Sequence, residues 1–177
     1  MSEVAVRWMV RQDIDALVRI ENEAYDIPWA RKSFISALQK VGTVGLVVET
    51  ENEIIGYVIY ITHRSGAFPL QEMSSGGIEI LNLTVSESSR GDGIGTIVVE
   101  YLKDKIRKNK RHSELLMVVG DDALGAQLFL VSQDFQAVRV LHEVYDNGED
   151  AYLLSWSEEP DLSIPAIRWA NRIASYL

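Results

Sequence analysis

Ile78-Glu79-Ile80-Leu81-Asn82-Leu83-Thr84-Val85-Ser86-Glu87-Ser88-Ser89-Arg90-Gly91-Asp92-Gly93-Ile94-Gly95-Thr96 is the stretch that decides how the chain folds. The apolar, β-branched run from Ile78 to Val85 predicts a strand. Ile94, Val98, Tyr101 and Leu102 recur at helical spacing and predict a helix over Gly93 to Lys108, with those four on its inner side. Between the two, glycines at alternate positions let successive N–H groups point into one concavity, and the helix adds its positive end. Arg90 brings a full positive charge to the rim and Thr96 a hydroxyl donor to the first helical turn. Such a nest suits phosphate. The same residues also suit an ordinary glycine turn, and the segment alone does not separate the two. No Lys-Ser/Thr follows the last glycine, and the glycines are too closely spaced for a dinucleotide-binding fingerprint.

Outward from this segment the pattern alternates between strands and helices. Val4 to Met9 alternates as a strand, and Ile14, Leu17, Val18 and Tyr25 follow at helical spacing with Asp13 as a cap. Pro28 opens a second short helix carrying Phe34, Ile35 and Leu38. Thr43 to Thr50 and Ile54 to Ile61 read as a hairpin. The stretch from His63 to Gly77, rich in Gly, Ser and Pro, reads as a mobile loop. After the central helix come a strand from Glu114 to Val119, a helix from Ala123 to Ser132, and strands Ala137 to Tyr145 and Ala151 to Trp156 around the turn Asp146-Asn147-Gly148. The expected order is β-α-α-β-β-β-α-β-α-β-β. Beyond Pro160, residues Ile164, Ile167, Ala170, Ile173, Ala174 and Leu177 form an apolar helical stripe. Residues 1–157 are therefore expected to form one domain. Residues 158–177 are expected to be a linker and amphipathic helix, packed on that domain or at a dimer contact, so monomer and homodimer both stay open.

Composition narrows the function. The 177 residues carry a formal charge of −9, which disfavours nucleic acid as a partner because phosphate neutralisation needs surplus Lys and Arg. Six of the seventeen basic residues cluster at Lys103, Lys105, Arg107, Lys108, Lys110 and Arg111. At the end of a helix these complement its dipole, the alternative being a local binding patch. There is no cysteine, hence no disulfide, thiolate nucleophile or cysteine-based metal site, and a reducing compartment fits. No apolar run approaches the roughly 18 residues of a membrane span. A cytoplasmic protein with no metal and no membrane partner is expected.

The segment Arg90-Gly91-Asp92-Gly93-Ile94-Gly95 resembles the signature loop of GNAT acetyltransferases, Arg/Gln-x-x-Gly-x-Gly/Ala. The element order over residues 3–157 is similar to theirs as well. The resemblance implies an α+β fold with a central mixed, mostly antiparallel sheet of about seven strands flanked by helices, here with an extra C-terminal helix. It also implies acetyl-CoA as co-substrate. The loop amides and side chains of Arg90, Gly91, Asp92, Gly93, Ile94, Gly95 and Thr96 would meet its pyrophosphate. The backbone of Leu83, Thr84 and Val85 would pair with the pantetheine arm and help to hold the acetyl carbonyl. Asp92 departs from the pattern, which has a basic or neutral residue there; an exposed carboxylate near phosphate costs about 1 kcal/mol or less.

Two further segments resemble the protein N-terminal acetyltransferases, including the ribosomal-protein alanine (RimI-type) enzymes. Glu23 to Phe34 is similar to their helix-turn-helix Phe/Tyr-x-x-Pro-Trp-x-x-x-x-Phe, matched by Tyr25, Pro28, Trp29 and Phe34. Tyr145-Asp146-Asn147-Gly148-Glu149-Asp150-Ala151 is similar to their Tyr-x-x-Gly-Glu-Asp-Ala hairpin. The resemblance places Tyr25, Pro28, Trp29 and Tyr145 beside an acceptor peptide, where aromatic rings offer amphipathic walls; each alone would equally suit a core.

Attack on a thioester needs a neutral amine and therefore a proton acceptor. Glu79 is the candidate. It shares a strand face with Leu81, Leu83 and Val85, and it precedes Val85 by six residues, the offset of the general-base glutamate in the histone acetyltransferase branch. An exposed strand-edge glutamate is the alternative. The tyrosine that commonly protonates the CoA thiolate, within Asn-x-x-Ala-x-x-x-Tyr-x-x-x-Gly-Phe, is not retained: Ala126 and Phe135 match, but Ala123, Leu130 and Asp134 replace Asn, Tyr and Gly. Val118 stands where RimI-type enzymes carry a glutamate. The leading expectation is direct acetyl transfer to a primary amine, foremost the α-amino group of a protein N-terminus. The alternatives are a relative that binds acetyl-CoA with weak or lost catalysis in a recognition role, and an enzyme for a small amine or a lysine.

Overall fold

The computed structural model describes residues 3–51, 53–64, 76–109, 112–144 and 148–159, His112 by its backbone alone. Most of the expected loop 63–77, Tyr145 with Asp146 and Asn147, and the apolar stripe after Pro160 lie outside the described residues. The elements are β1 (Ala5–Trp8), α1 (Ile14–Ala24), α2 (Arg31–Leu38), β2 (Thr43–Glu49), β3 (Ile54–His63), β4 (Gly76–Val85), α3 (Ile94–Lys108), β5 (His112–Gly120), α4 (Leu124–Ser132), β6 (Gln136–Leu141) and β7 (Ala151–Ser157). Their order is the expected one. The strands form one mixed seven-stranded sheet in the order β1-β2-β3-β4-β5-β7-β6, with antiparallel pairing of β1 with β2, β2 with β3, β5 with β7 and β6 with β7. Along the chain, α3 follows β4 and precedes β5.

Contacts group the chain into two compact units, Met1–His63 with Ile80–Lys105, and Arg64–Glu79 with Ile106–Leu177. The first is built on the apolar stripe of α1. Ile14, Leu17 and Ile20 recur at helical spacing and pack with Phe34 and Ala37 of α2 and with Val47, Tyr57 and Ile59 of the hairpin; Val47 and Tyr57 are register partners. Trp29 meets Phe34 edge-on with ring centroids 5.5 Å apart, and Phe34 meets Tyr57 likewise at 5.6 Å. Such pairs contribute about 0.5–1.5 kcal/mol each beyond the area they bury.

Two local expectations change here. Asp13 does not cap α1 through its side chain. It belongs to a short 3-10 turn, Arg11–Asp13, and its carboxylate accepts the Val10 N–H at 2.7 Å and the Arg7 guanidinium at 2.8 and 3.0 Å. Tyr101 is not on the inner side of α3 but exposed, with the Lys105 ammonium 5.5 Å from its ring centre. Ile94, Val98 and Leu102 are buried as expected.

In the second unit β7 lies between β5 and β6. Gly77 is needed where β4 begins, since a Cβ there would lie 3.1 Å from the Glu114 carbonyl oxygen. Strand β6 stops at Leu141 and does not run on to Tyr145. Glu143 adopts a left-handed φ of 52°, and its N–H and the His142 ring both bond to the Asp150 carboxylate, which ends the ladder. Helix α4 closes through Asp134, φ 62°, with the Phe135 N–H returning to the Leu130 carbonyl at 3.1 Å. This is the position where the resembling pattern has glycine. Aspartate preserves the turn because it tolerates the left-handed region better than most side chains.

Candidate active site

The loop that closes β4 is fastened before it turns. The Ser86 N–H donates to the Ile55 carbonyl at 2.8 Å, and the Ser89 and Arg90 N–H groups return to Ser86 and Glu87 in a short 3-10 turn. Arg90 is exposed and its Nε reaches the Val85 carbonyl at 3.3 Å, so the charge sits at the strand end. Gly91 and Gly93 have φ of +86° and +82°, and a Cβ at either would meet no atom within 4 Å. The loop therefore uses glycine for backbone conformation, with open space above both Cα atoms. Gly95 differs, lying inside α3. The Ile97 N–H takes the Gly93 carbonyl at 3.0 Å, so the N–H groups of Ile94, Gly95 and Thr96 precede the first intrahelical bond, as at any helix start. Asp92 and Thr96 are exposed and Ile94 is buried. An open cradle with helix-start amides and a cation at its edge fits the pyrophosphate of a CoA thioester.

Gly56 of β3 brings this cradle close. A Cβ there would lie 3.1 Å from the Thr84 carbonyl and 3.5 Å from Ile94 Cγ2. Along β4 burial alternates: Ile78, Ile80, Asn82 and Thr84 are buried, while Glu79, Leu81, Leu83 and Val85 are half-buried. Glu79 thus lies in the expected phase with Leu81, Leu83 and Val85.

The buried phase ends in a polar cluster centred on Glu21 of α1, which is 2% exposed. Its carboxylate accepts the Tyr57 hydroxyl, Asn82 Nδ2 at 3.0 Å, the Trp29 N–H at 3.2 Å and Thr84 Oγ1 at 3.2 Å. Thr84 Oγ1 also lies 2.9 Å from Asn82 Oδ1 and 3.4 Å from the Tyr25 hydroxyl. The Thr84 side chain is consumed internally, so only its backbone is left for a donor. Burial foremost, with the Glu21 charge adding to it, pushes both tyrosine hydroxyls up from their ordinary value, opposed at both by the Thr84 hydroxyl and at Tyr25 also by Arg90.

Tyr25 is 45% exposed, and Pro28 and Trp29 are half-buried. Trp29 serves the core through Phe34 while its backbone is held by Glu21. The expected site residues Tyr25, Trp29, Thr84, Arg90, Gly91 and Gly93 all belong to the first compact unit and Glu79 to the second; Tyr145 is outside the described residues. Leu130 is fully buried in α4, and Gln127 of that helix donates to the Gly120 carbonyl at 2.6 Å. Glu21, Asn82 and Tyr57 are absent from the sequence expectations. A signal existed, since Glu21 falls one turn after Leu17 on the apolar stripe of α1.

A strand that ends in an open amide nest at the head of a helix, within a mixed seven-stranded sheet, is what the resemblance to the GNAT acetyltransferases implies. Residues 14–135 match the Acetyltransferase (GNAT) family, and the chain belongs to that family. It is similar to an N-alpha-acetyltransferase of Sulfolobus acidocaldarius, 25% identical over 152 residues, which are 85% of this chain and 90% of the relative. The fold is similar to that of Arabidopsis thaliana NAA60 in complex with a bisubstrate analogue, with a TM-score of 0.76 at 18% identity over 88% of this chain and 98% of that one. It is also similar to the ribosomal-protein-S18-alanine N-acetyltransferase of Escherichia coli, with a TM-score of 0.71 at 19% identity over 90% and 98% of the two chains.

Proposed function

We propose that this N-acetyltransferase moves the acetyl group of acetyl-CoA to the α-amino group of a protein or peptide N-terminus. One observation carries the reading: the open Gly91–Gly93 cradle and the Tyr25–Trp29 wall lie in one compact unit, and both are fastened to the same end of β4. The names of the Sulfolobus relative and the Escherichia structure support an N-terminal amine as acceptor.

Arg90, the amides from Gly91 to Gly95 and Thr96 would hold the pyrophosphate, and the backbone from Leu83 to Val85 the pantetheine arm. Acetyl-CoA, when bound, supplies an acetyl thioester, whose C–S bond breaks as the amine nitrogen forms the amide C–N bond. Glu79 takes the proton the amine must lose, directly or through water. The thiolate leaves with a proton from solvent, since Leu130 occupies the position of the tyrosine acid; a thiolate tolerates this at reduced rate. Tyr25, Pro28 and Trp29 would line the acceptor. Among the described residues no helix is long and apolar enough to cross a membrane, and with the absent cysteines this supports a cytoplasmic site of action.

The buried Leu130 favours a second reading, a relative that binds acetyl-CoA without efficient transfer. Thermal shift with acetyl-CoA, followed by thiol release with a panel of N-terminal peptides, separates the two. Stabilisation with peptide-dependent thiol release supports the enzyme. Stabilisation without release supports the binding relative, and no shift at all overturns both.

A further inference from the structure

Glu21 takes no part in the chemistry above, yet its buried carboxylate accepts hydrogen bonds from four residues. Its donors come from three places: Tyr57 from β3, Asn82 and Thr84 from β4, and the Trp29 N–H from the turn between α1 and α2. Burying a carboxylate is costly and is offset only when its acceptor sites are filled. Apolar residues of similar volume often stabilise a core as well or better. What Glu21 supplies that they could not is a fixed relation between a turn and a strand.

Counting protons shows the path. Thr84 has one hydroxyl hydrogen and three neighbours within reach, the nearest being Asn82 Oδ1 at 2.9 Å. When that hydrogen goes to the charged Glu21 carboxylate at 3.2 Å, the Thr84 oxygen is left to accept from the Tyr25 hydroxyl, which stays protonated because burial and the Glu21 charge favour its neutral form. The Trp29 backbone and the Tyr25 hydroxyl are thus joined to β4 through Glu21 and Thr84.

We propose that Glu21 is a positioning residue that ties the acceptor wall, the Tyr25 hydroxyl and the Trp29 backbone, to Thr84 on the strand that holds the donor. The assignment of Tyr25 and Trp29 to the acceptor rests on the function proposed above. The tie itself rests on the hydrogen bonds.

The test combines amide hydrogen exchange with steady-state kinetics on the full chain. In Glu21→Gln the side-chain amide faces donors with donors, so exchange at the Trp29 amide accelerates about tenfold or more relative to the core amides of Val47 and Ile59. With an N-terminal peptide as varied substrate, its KM rises about tenfold while acetyl-CoA affinity, measured by calorimetry, stays within about twofold. Thr84→Val reproduces the KM change and Thr84→Ser, which keeps the hydroxyl, restores it. This pair, with Tyr25→Phe as the cut of the outer link alone, decides the matter if Glu21→Gln does not fold. Uniform acceleration of exchange across the unit, or kcat and KM unmoved in folded variants, would show a packing role and overturn the tie. If the wild-type protein binds acetyl-CoA but acetylates no peptide, the proposed acceptor fails while the Trp29 exchange ratio still judges the tie.

Discussion

Gly93 occupies a backbone conformation that L side chains rarely adopt, while the space above it is empty. Gly93→Ala therefore clashes with nothing and acts through the backbone, at a cost of about 1–2 kcal/mol. Acetyl-CoA affinity should fall about fivefold to thirtyfold in calorimetry, whereas Gly95→Ala, inside α3, should leave the cradle's shape unchanged. For Glu79→Gln the turnover rate should fall about a hundredfold or more with acetyl-CoA affinity held within about twofold. An unchanged rate would make Glu79 structural. At this scale the sequence discloses residues whose role is local. Gly91, Gly93 and Arg90 are readable because a turn before a helix specifies its own chemistry within a few positions. Glu21 is not readable in the same way, because Tyr57, Asn82 and Thr84 reach it only after β3 and β4 pack on α1. The one local trace is a carboxylate on an apolar stripe, a position that periodicity assigns to the core and residue type to solvent.

Strand β3, the end of β4 and the start of α3 approach one another over Gly56, where an added Cβ would press on the Thr84 carbonyl at 3.1 Å and on Ile94. Gly56→Val should cost about 1–3 kcal/mol by overpacking and weaken acetyl-CoA binding beyond that loss, read as a smaller ligand-induced rise in Tm. The other end of the unit is held by Arg7, which bridges Asp13 and, from β1 to β2, Glu49 at 2.8 Å. The guanidinium, helped by the Val10 N–H, holds the Asp13 carboxyl below its ordinary value of 3.8. The folded chain thus binds that proton less readily than the unfolded one. Its stabilisation is complete above about pH 4 and drains away as pH falls through the folded value. Asp13→Asn should lose about 1–3 kcal/mol in denaturant unfolding at neutral pH, and the gap to wild type should close below about pH 4. The sequence located the eleven helices and strands of the described residues because their periodicities are distinct. It misplaced the end of β6 and the role of Asp13, both of which depend on a partner distant in the chain or on an unusual φ.

At the scale of the whole molecule, family membership follows from agreement between levels: the glycine loop, the element order, the strand order and the match over residues 14–135. The acceptor is less legible than the donor site. A pyrophosphate cradle is made of backbone and has a sequence grammar, whereas an acceptor wall is made of side chains such as Tyr25 and Trp29 whose roles also fit core packing. The charge of −9 adds that basic acceptor sequences should be drawn in faster than acidic ones, and the more so at low ionic strength. The most direct measurement is mass spectrometry of peptides incubated with the protein and acetyl-CoA, each carrying both a free N-terminus and an internal lysine. The expected result is one added acetyl group on the α-amino nitrogen, dependent on protein and reduced in Glu79→Gln. Acetylation confined to the lysine side chain, or none in a protein that binds acetyl-CoA, would contradict the N-terminal assignment.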